Sequence, residues 1–425
     1  MPLLIVGGAL CAWVAVGAGW MALDDRRRRR ERRDRAQAER QAFCDRVQVV
    51  AAEARARRLK SLGWQGLRTL RVSAVVDECR DVRSFYLADP EGRPLPSYHP
   101  GQYLTLHLPQ GEGGGDVSDD DSAKPVVRCY SLSDRPREEF YRVSVKRCWP
   151  PRDEPNAPPG LGSTALHTRI REGDLLKVAA PRGDFLLPPV GQEPVALLGA
   201  GIGVTPLLSM LLTQAHAGLE RPAHLLLGMR SGLEFPFRQE VDELTASHDW
   251  LSTTVCYSRP NEKDAPADER HRRGRLTIDV VKDVLPSPDL RFYLCGPPGM
   301  MQDLVPRLLD WGVPDDRIHF EAFGPASVVR ESATQAAKAA AGAKVKFVRS
   351  GVEAEWTGEE ASLLAFAEKY KAPLDAGCRV GNCGSCAVKV LQGETAAIKS
   401  PGAQAAQGEC LACVSVPQGD LVIDA

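Results

Sequence analysis

Apolar and polar positions change their rhythm several times along the chain. Pro2–Leu23 is uncharged and mostly apolar, with Trp13 and Trp20, and about 20 such residues suffice to cross a bilayer as a helix. Asp24–Leu62 is rich in Arg, Ala and Glu without a steady apolar stripe, which predicts a solvated helical stalk. From Gln65 to Pro188 short alternating runs, Leu70–Val76, Gln102–Leu108, Tyr141–Lys146 and Leu175–Ala179, are parted by turn residues. That pattern predicts a small antiparallel β-barrel or sandwich. Between Pro194 and Pro325 strands (Val195–Leu198, Ala223–Gly228, Leu251–Tyr257, Phe292–Cys295) alternate with helical stretches (Pro206–Ala217, Arg238–Ala246). This predicts a doubly wound α/β unit with a parallel sheet. No internal repeat is evident.

The boundaries that follow are 1–23 for a transmembrane helix, 24–64 for the stalk, 65–190 for the barrel domain and 191–326 for the α/β domain. A linker at 327–342 leads to a third module at 343–425, which holds five of the 12 cysteines. Two segments read as mobile insertions: Gln110–Lys124, rich in Gly and Asp, and Trp149–Gly160, rich in Pro. With 425 residues, 43% hydrophobic and 26% charged, the chain builds several real cores. Disorder and a small disulfide scaffold are excluded for its bulk.

Charge alters the picture at the N-terminus. Residues 24–60 hold 14 Lys/Arg against 7 Asp/Glu, whereas the body from 61 to 425 holds 40 against 48. An acidic body argues against nucleic acid, which recruits basic surfaces. Seven arginines fall within Arg26–Arg33, after the apolar run rather than before it as in a secretory signal. The expectation is therefore an inner (cytoplasmic) membrane protein with one span and a helix in membrane lipid. Its body lies on the cytoplasmic side by the positive-inside rule.

Chemistry concentrates first in Cys378-Arg-Val-Gly-Asn-Cys383-Gly-Ser-Cys386, with 26 residues between Cys386 and Cys413. C-x4-C-x2-C followed by a distant Cys is the spacing of a plant-type [2Fe–2S] site. Gly381 and Gly384 let such a loop pass close to the sulfides. Zinc sites favour C-x2-C pairs, and disulfides are not expected of a cytoplasmic body. Cys410 competes with Cys413 as fourth ligand. Gly408-Glu-Cys-Leu-Ala-Cys413 resembles the G-x-x-L-x-C ending of ferredoxin-like modules, which favours Cys413 and implies a β-grasp-like α+β fold.

A second constellation is Arg128-Cys-Tyr130-Ser131 on a predicted barrel strand, then Tyr141-Arg-Val143-Ser144-Val-Lys146 and Gly160-Leu-Gly162-Ser163-Thr164. A third is Gly199-Ala-Gly201-Ile-Gly203-Val-Thr205-Pro206 between a strand and a helix, with Cys295-Gly296-Pro297 and Phe320-Glu321-Ala-Phe323 further on. The G-x-G-x-x-G fingerprint fails at Val204. In this order the motifs resemble the ferredoxin–NADP reductase superfamily.

That resemblance implies roles. Arg128 pairs with a flavin phosphate, Tyr130 packs on the isoalloxazine, Ser131 bonds near its N5, and Val143 and Ser144 line it. Gly162, Ser163 and Thr164 supply phosphate donors at a helix start. Gly199, Gly201, Gly203 and Thr205 receive the nicotinamide dinucleotide, beside Cys295, Gly296 and Pro297. Phe323 covers the flavin's other face, with Phe320 as the lesser candidate. Tyr130, Ser131, Cys295 and Glu321 form the catalytic set. Most relatives hold FAD, and a branch with this domain order holds FMN.

No acid follows Leu227-Gly228-Met229-Arg230-Ser231 before Glu234, and a further strand ends Cys256-Tyr257-Ser258-Arg259. Arg230, Ser258 and Arg259 are thus candidate partners of a coenzyme 2′-phosphate, which tips the expectation to NADPH over NADH.

The expected function is a membrane-anchored electron-transfer oxidoreductase. Electrons pass from NAD(P)H through flavin and one [2Fe–2S] cluster to an oxygenase or other one-electron acceptor. An NAD(P)H:quinone reductase at the membrane surface and a non-catalytic docking subunit are the alternatives. The order flavin, nicotinamide, cluster is that of reductases feeding oxygenases. The first two modules also look like those of flavohaemoglobins, but about 60 residues upstream leave no room for a globin, so nitric oxide dioxygenation is not expected of this chain alone.

Overall fold

A computed structural model describes residues 64, 66–109, 125–150, 155–188, 191, 193–262, 264, 270–323, 338, 340–381, 384–398 and 405–425. Among them no helix is long and apolar enough to cross a membrane. The expected transmembrane helix, with the membrane location and lipid partner built on it, has no counterpart among these residues, and the expectation is corrected to that extent. The apolar run at 1–23 and the stalk lie outside the described residues, as do 110–124, 151–154 and most of the linker.

Six strands build the first domain: β1 (Leu67–Cys79), β2 (Val82–Ala88), β3 (Tyr103–Leu108), β4 (Val126–Ser131), β5 (Tyr141–Lys146) and β6 (Leu175–Arg182). Their order is β4-β3-β6-β1-β2-β5, each pair antiparallel, and a bridge between Leu132 and Val143 brings the two ends together. Inward positions at period two (Leu70 and Val72, Leu104 and Leu106, Leu176 and Val178) fill the interior with Phe85 and Leu87. Trp64 packs here as well, its indole N–H donating to Val178 O at 3.4 Å. Helix α1 (Leu161–Thr168) opens directly on the Gly160–Ser163 motif.

The second domain has six parallel strands: β7 (Val195–Ala200), β8 (Ala223–Met229), β9 (Leu251–Tyr257), β10 (His271–Arg273), β11 (Arg291–Gly296) and β12 (Ile318–Ala322). The order β10-β9-β8-β7-β11-β12 reverses direction between β7 and β11. Open α/β sheets bind ligands at such a switch point, beyond the carboxyl ends of the strands. The helices are α2 (Val204–His216), α3 (Arg238–Ser247), α4 (Ile278–Val284) and α5 (Pro298–Asp310). The near-continuous apolar runs of β7 and β11 are buried on both faces.

Across the seam between these domains, buried Arg142 on β5 donates to both carboxylate oxygens of Glu240 on α3, at 2.6 and 3.0 Å. Its guanidinium also lies 5.0 Å from the Phe237 ring and donates to Ser133 O at 2.6 Å.

The third domain sets helix α6 (Leu363–Lys369) against a mixed sheet of β13 (Lys344–Phe347), β14 (Val352–Glu355), β15 (Ala387–Gln392), β17 (Glu409–Leu411) and β19 (Leu421–Ile423). A separate pair joins β16 (Thr395–Ala397) to β18 (Ser415–Pro417). The Ser362 hydroxyl caps α6 by accepting the Ala365 N–H at 3.3 Å. Phe347, Trp356 and Phe366 are fully buried at its centre, the α+β arrangement expected.

Candidate functional site

A cavity of about 710 Å³ is walled by all three domains. The barrel contributes Arg128, Tyr130 and Ser131 from β4 and Ser144 and Lys146 from β5. The α1 entry adds Gly160, Gly162 and Ser163. The α/β domain contributes Ile202, Thr205, Arg230, Glu321 and Phe323, and the third domain contributes Cys378, Arg379 and Val380. Distant motifs converge because β4 and β5 end beside the carboxyl edge of the parallel sheet.

Within this wall Ser131 Oγ donates to Glu321 Oε2 at 3.2 Å. Cys295 is fully buried on β11, and burial, reinforced by the charge of Glu321, raises its thiol well above the usual range. Gly203 packs against Cys295: a Cβ at Gly203 would lie 2.0 Å from the Cys295 carbonyl oxygen. The loop after β7 and the Cys295-Gly296-Pro297 turn therefore form one surface. Thr205 Oγ1 donates to Ile202 O at 2.9 Å. Gly199 packs tightly on Leu207 and Leu227, Gly201 has φ +54°, and Pro297 leads into α5.

The fit to a flavin nucleotide rests on the wall itself. A Cβ at Gly162 would stand 2.7 Å from Arg128 Cγ and 3.0 Å from the Tyr130 hydroxyl, so only glycine leaves this corner open beside a guanidinium. Thr164 stands just behind it, its Oγ1 buried without a hydrogen-bond partner. Thr164 does not line the cavity, but a cationic side chain beside a glycine-opened helix start suits a phosphate. Val143 differs from expectation: its side chain is in the barrel core, and its neighbour Ser144 lines the cavity instead. Alternation along β5 puts neighbours on opposite faces. Arg147 and Trp149, absent from the expected set, stack at the rim with the guanidinium 4.0 Å from the indole.

The adjoining cluster loop suits iron. Cys386 Sγ and Cys413 Sγ lie 3.1 Å apart, and the Gly381 N–H donates to Cys413 Sγ at 3.1 Å. Cys378, Cys386 and Cys413 are all buried, and Cys383 lies outside the described residues. Among the described residues no three metal-ligating side chains close into a cage. Gly381 and Gly384 take φ of +77° and +78°, and Arg379 joins them at +62°. Burial and the bond to Cys386 hold the Cys413 thiol up, so thiolates here need a cation beside them. Cys410 bonds instead to Thr395 and Ser415, and burial raises its thiol to about 11. The loop meets the barrel where Arg128 Nη1 donates to Gly377 O at 3.3 Å.

Met229 and Tyr257 pair at the ends of β8 and β9, and the Arg259 N–H donates to Arg230 O at 2.7 Å. The two candidate arginines are thus neighbours. Arg230 Nη1 lies 3.4 Å from Glu234. Ser258 and Arg259 are exposed and do not line the cavity.

Residues 197–305 match the oxidoreductase NAD-binding domain family, and 346–418 match the 2Fe-2S iron-sulfur cluster binding domain family. A flavohemoprotein of Deinococcus radiodurans is 37% identical over 263 residues, 62% of this chain and 60% of that protein. One of Halalkalibacterium halodurans is 32% identical over 270 residues, 64% and 63% of the two chains. The chain spans about three-fifths of the length of these curated relatives. A solved flavohem-like FAD/NAD binding domain of nitric oxide dioxygenase from Vibrio cholerae is 34% identical, with a TM-score of 0.51. It covers 61% of this chain and 99% of its own. Phthalate dioxygenase reductase, titled a modular structure for electron transfer from pyridine nucleotides to [2Fe–2S], is 26% identical with a TM-score of 0.51. It covers 85% of this chain and 98% of its own.

Proposed function

We propose that this chain, which belongs to the ferredoxin–NADP reductase superfamily and ends in a 2Fe-2S domain, carries electrons from NAD(P)H to a one-electron acceptor such as an oxygenase component. It is an oxidoreductase using FAD, NAD(P)H and one [2Fe–2S] cluster. The observation that carries the proposal is the single cavity in which Tyr130, Thr205 and Cys378 share a wall. Bound there, the flavin supplies the conversion of a two-electron hydride into single electrons.

The chain's own residues bind, orient and insulate. Arg128 and the donors around Gly162 and Ser163 hold phosphate, and Tyr130 and Phe323 enclose the ring system. Ser131, donating to Glu321, holds that carboxylate in place and keeps a hydroxyl oxygen at the reacting edge. Cys295, fully buried behind the Gly203 loop and kept protonated because burial disfavours its thiolate, backs the coenzyme's approach as an uncharged group. Gly199, Gly201, Gly203, Gly296 and Pro297 keep the coenzyme's path free of side chains. Cys378, Cys383, Cys386 and Cys413 hold the cluster. The Gly381 N–H on the Cys413 sulfur is the kind of bond that tunes a cluster's potential.

Glu234 already pairs with Arg230, so Arg259 carries the preference for NADPH, with Ser258 beside it. Comparing kcat/KM for the two coenzymes tests this. A preference for NADPH that falls in Arg259→Ala is expected, and a preference for NADH unaffected by that change contradicts it. For the main reading, the visible spectrum of the purified protein should show flavin and cluster bands that bleach on anaerobic addition of NAD(P)H. Absence of either band, or no bleaching with either coenzyme, defeats it.

A further inference from the structure

A chain of hydroxyls runs from the cavity wall along the face of β2 and β5 that is turned away from the barrel core. Ser144, at the wall, has its Oγ 2.7 Å from Ser84 Oγ and 2.7 Å from Ser133 Oγ. Ser84 Oγ donates to Glu78 Oε1 at 2.5 Å. Ser84 and Ser133 are fully buried. Because the Ser84 proton is committed to Glu78, Ser84 accepts from Ser144, and the single Ser133 proton is shared between Ser144 Oγ and Arg142 O, 3.2 Å away. The chain therefore has one direction and ends on a carboxylate.

Glu78 in turn lines a second, open cavity of about 1110 Å³, bounded by Arg80 just past its own strand and by Phe237, Arg238 and Glu240 at α3. The charged groups around it are Asp77 on β1, Arg80 in the turn after it, Arg142 on β5, and Arg238, Glu240, Asp242 and Glu243 on α3. Burial lifts its carboxyl above the ordinary range despite the opposing pull of Ser84 and Arg142. Hydroxyls buried away from water stabilise nothing that apolar residues would not, so this row calls for another reason.

We infer that Ser144, Ser84 and Glu78 form a proton relay that connects the flavin cavity to the second cavity. The inference rests on the flavin reading above. Each hydride brought in carries two electrons and one proton. The electrons leave singly toward the cluster, and the proton stays behind to be discharged. It is taken up at Ser144 Oγ while the Ser144 proton passes to Ser84 Oγ and the Ser84 proton to Glu78. Glu78 releases it to water in the second cavity, and rotation of the hydroxyls restores the chain.

The test uses the full-length holoprotein, reduced anaerobically with NAD(P)H and then mixed with ferricyanide in weak buffer containing a pH indicator. Glu78→Gln and Ser84→Ala should slow proton appearance about tenfold with flavin bleaching by NAD(P)H unchanged. Ser133→Ala, which removes the side branch but not the path, should leave proton appearance at the wild-type rate. Proton release at the wild-type rate in Glu78→Gln means the proton leaves elsewhere, by Glu321 or directly to solvent, and overturns the relay. Equal slowing by Ser133→Ala reduces the row to a structural network and also overturns it. Failure of the wild type to bleach would defeat the flavin reading instead, so the two failures are separable. A readout without cofactor is thermal unfolding against pH. A carboxyl raised in the folded state contributes stability below its unfolded value that is lost as pH rises through the folded one. The wild type should therefore fall behind Glu78→Gln as pH increases above the ordinary Glu range, and a constant difference argues against a proton-accepting Glu78.

Discussion

Cys410 and Cys413 stand three residues apart and differ in what they face. Cys410 is turned to Thr395 and Ser415, whereas Cys413 touches Cys386 and receives the Gly381 N–H. The spacing rule leaves both open, because C-x4-C-x2-C is followed by a ligand at no fixed distance. A 3₁₀ turn over Ala412–Val414 redirects the chain between them. Cys413→Ser should abolish the paramagnetic signal of the reduced cluster while NAD(P)H still bleaches the flavin. Cys410→Ser should retain that signal. The reverse pattern, read by electron paramagnetic resonance, would exchange their roles. Ser84 shows how a single residue hides from sequence reading: fully buried yet polar, it interrupts the apolar period of Val82–Ala88.

That interruption explains why β2 is not evident from patterning, whereas Tyr141–Lys146 and Leu251–Tyr257 are legible to the residue. Strand β10 is hidden for a related reason, being three polar residues, His271-Arg-Arg273, on the sheet's edge. Motifs whose chemistry lies in the backbone are legible as well, since glycines at Gly199, Gly201 and Gly203 mark a close approach whatever surrounds them. What sequence withholds is facing. Val143 enters the core, Ser144 reaches the cavity, and only the barrel's register decides between them. The tightest of these contacts yields a prediction. Gly203→Ala would drive a methyl to within 2.0 Å of the Cys295 carbonyl, overpacking of the kind that costs about 1–3 kcal/mol. The displaced loop should lose reduction by NAD(P)H, while dithionite still reduces the cluster. Wild-type coenzyme kinetics in this variant would show that the two segments move independently.

Three domains share one cavity, so the joints between them matter as much as their cores. Arg142 is the principal charged joint between barrel and α/β domain, its side chain 3% exposed against 37% for Glu240. Breaking a buried pair costs about 3–5 kcal/mol because the surviving charge is left unpaired. With Glu240 partly in water, Arg142→Ala should cost about 3 kcal/mol. A urea midpoint unchanged from wild type would remove the joint's importance. The domain sequence itself is legible because each module carries its own motif, and the contact of Arg128 with Gly377 is not, since 249 positions separate them. The expected membrane span, by contrast, rested on an apolar run and the arginines after it, and no described helix supports it. The convergence of barrel, α/β domain and cluster loop on one cavity dictates an order of events. Rapid mixing with NAD(P)H under anaerobic conditions, followed by freezing at successive times, reads it by absorbance and paramagnetic resonance together. Flavin absorbance should fall first, and the signal of the reduced [2Fe–2S] cluster should rise afterwards, ahead of any added acceptor's reduction. A cluster signal that precedes flavin bleaching, or bleaching that never yields the signal, would contradict electron passage through this cavity.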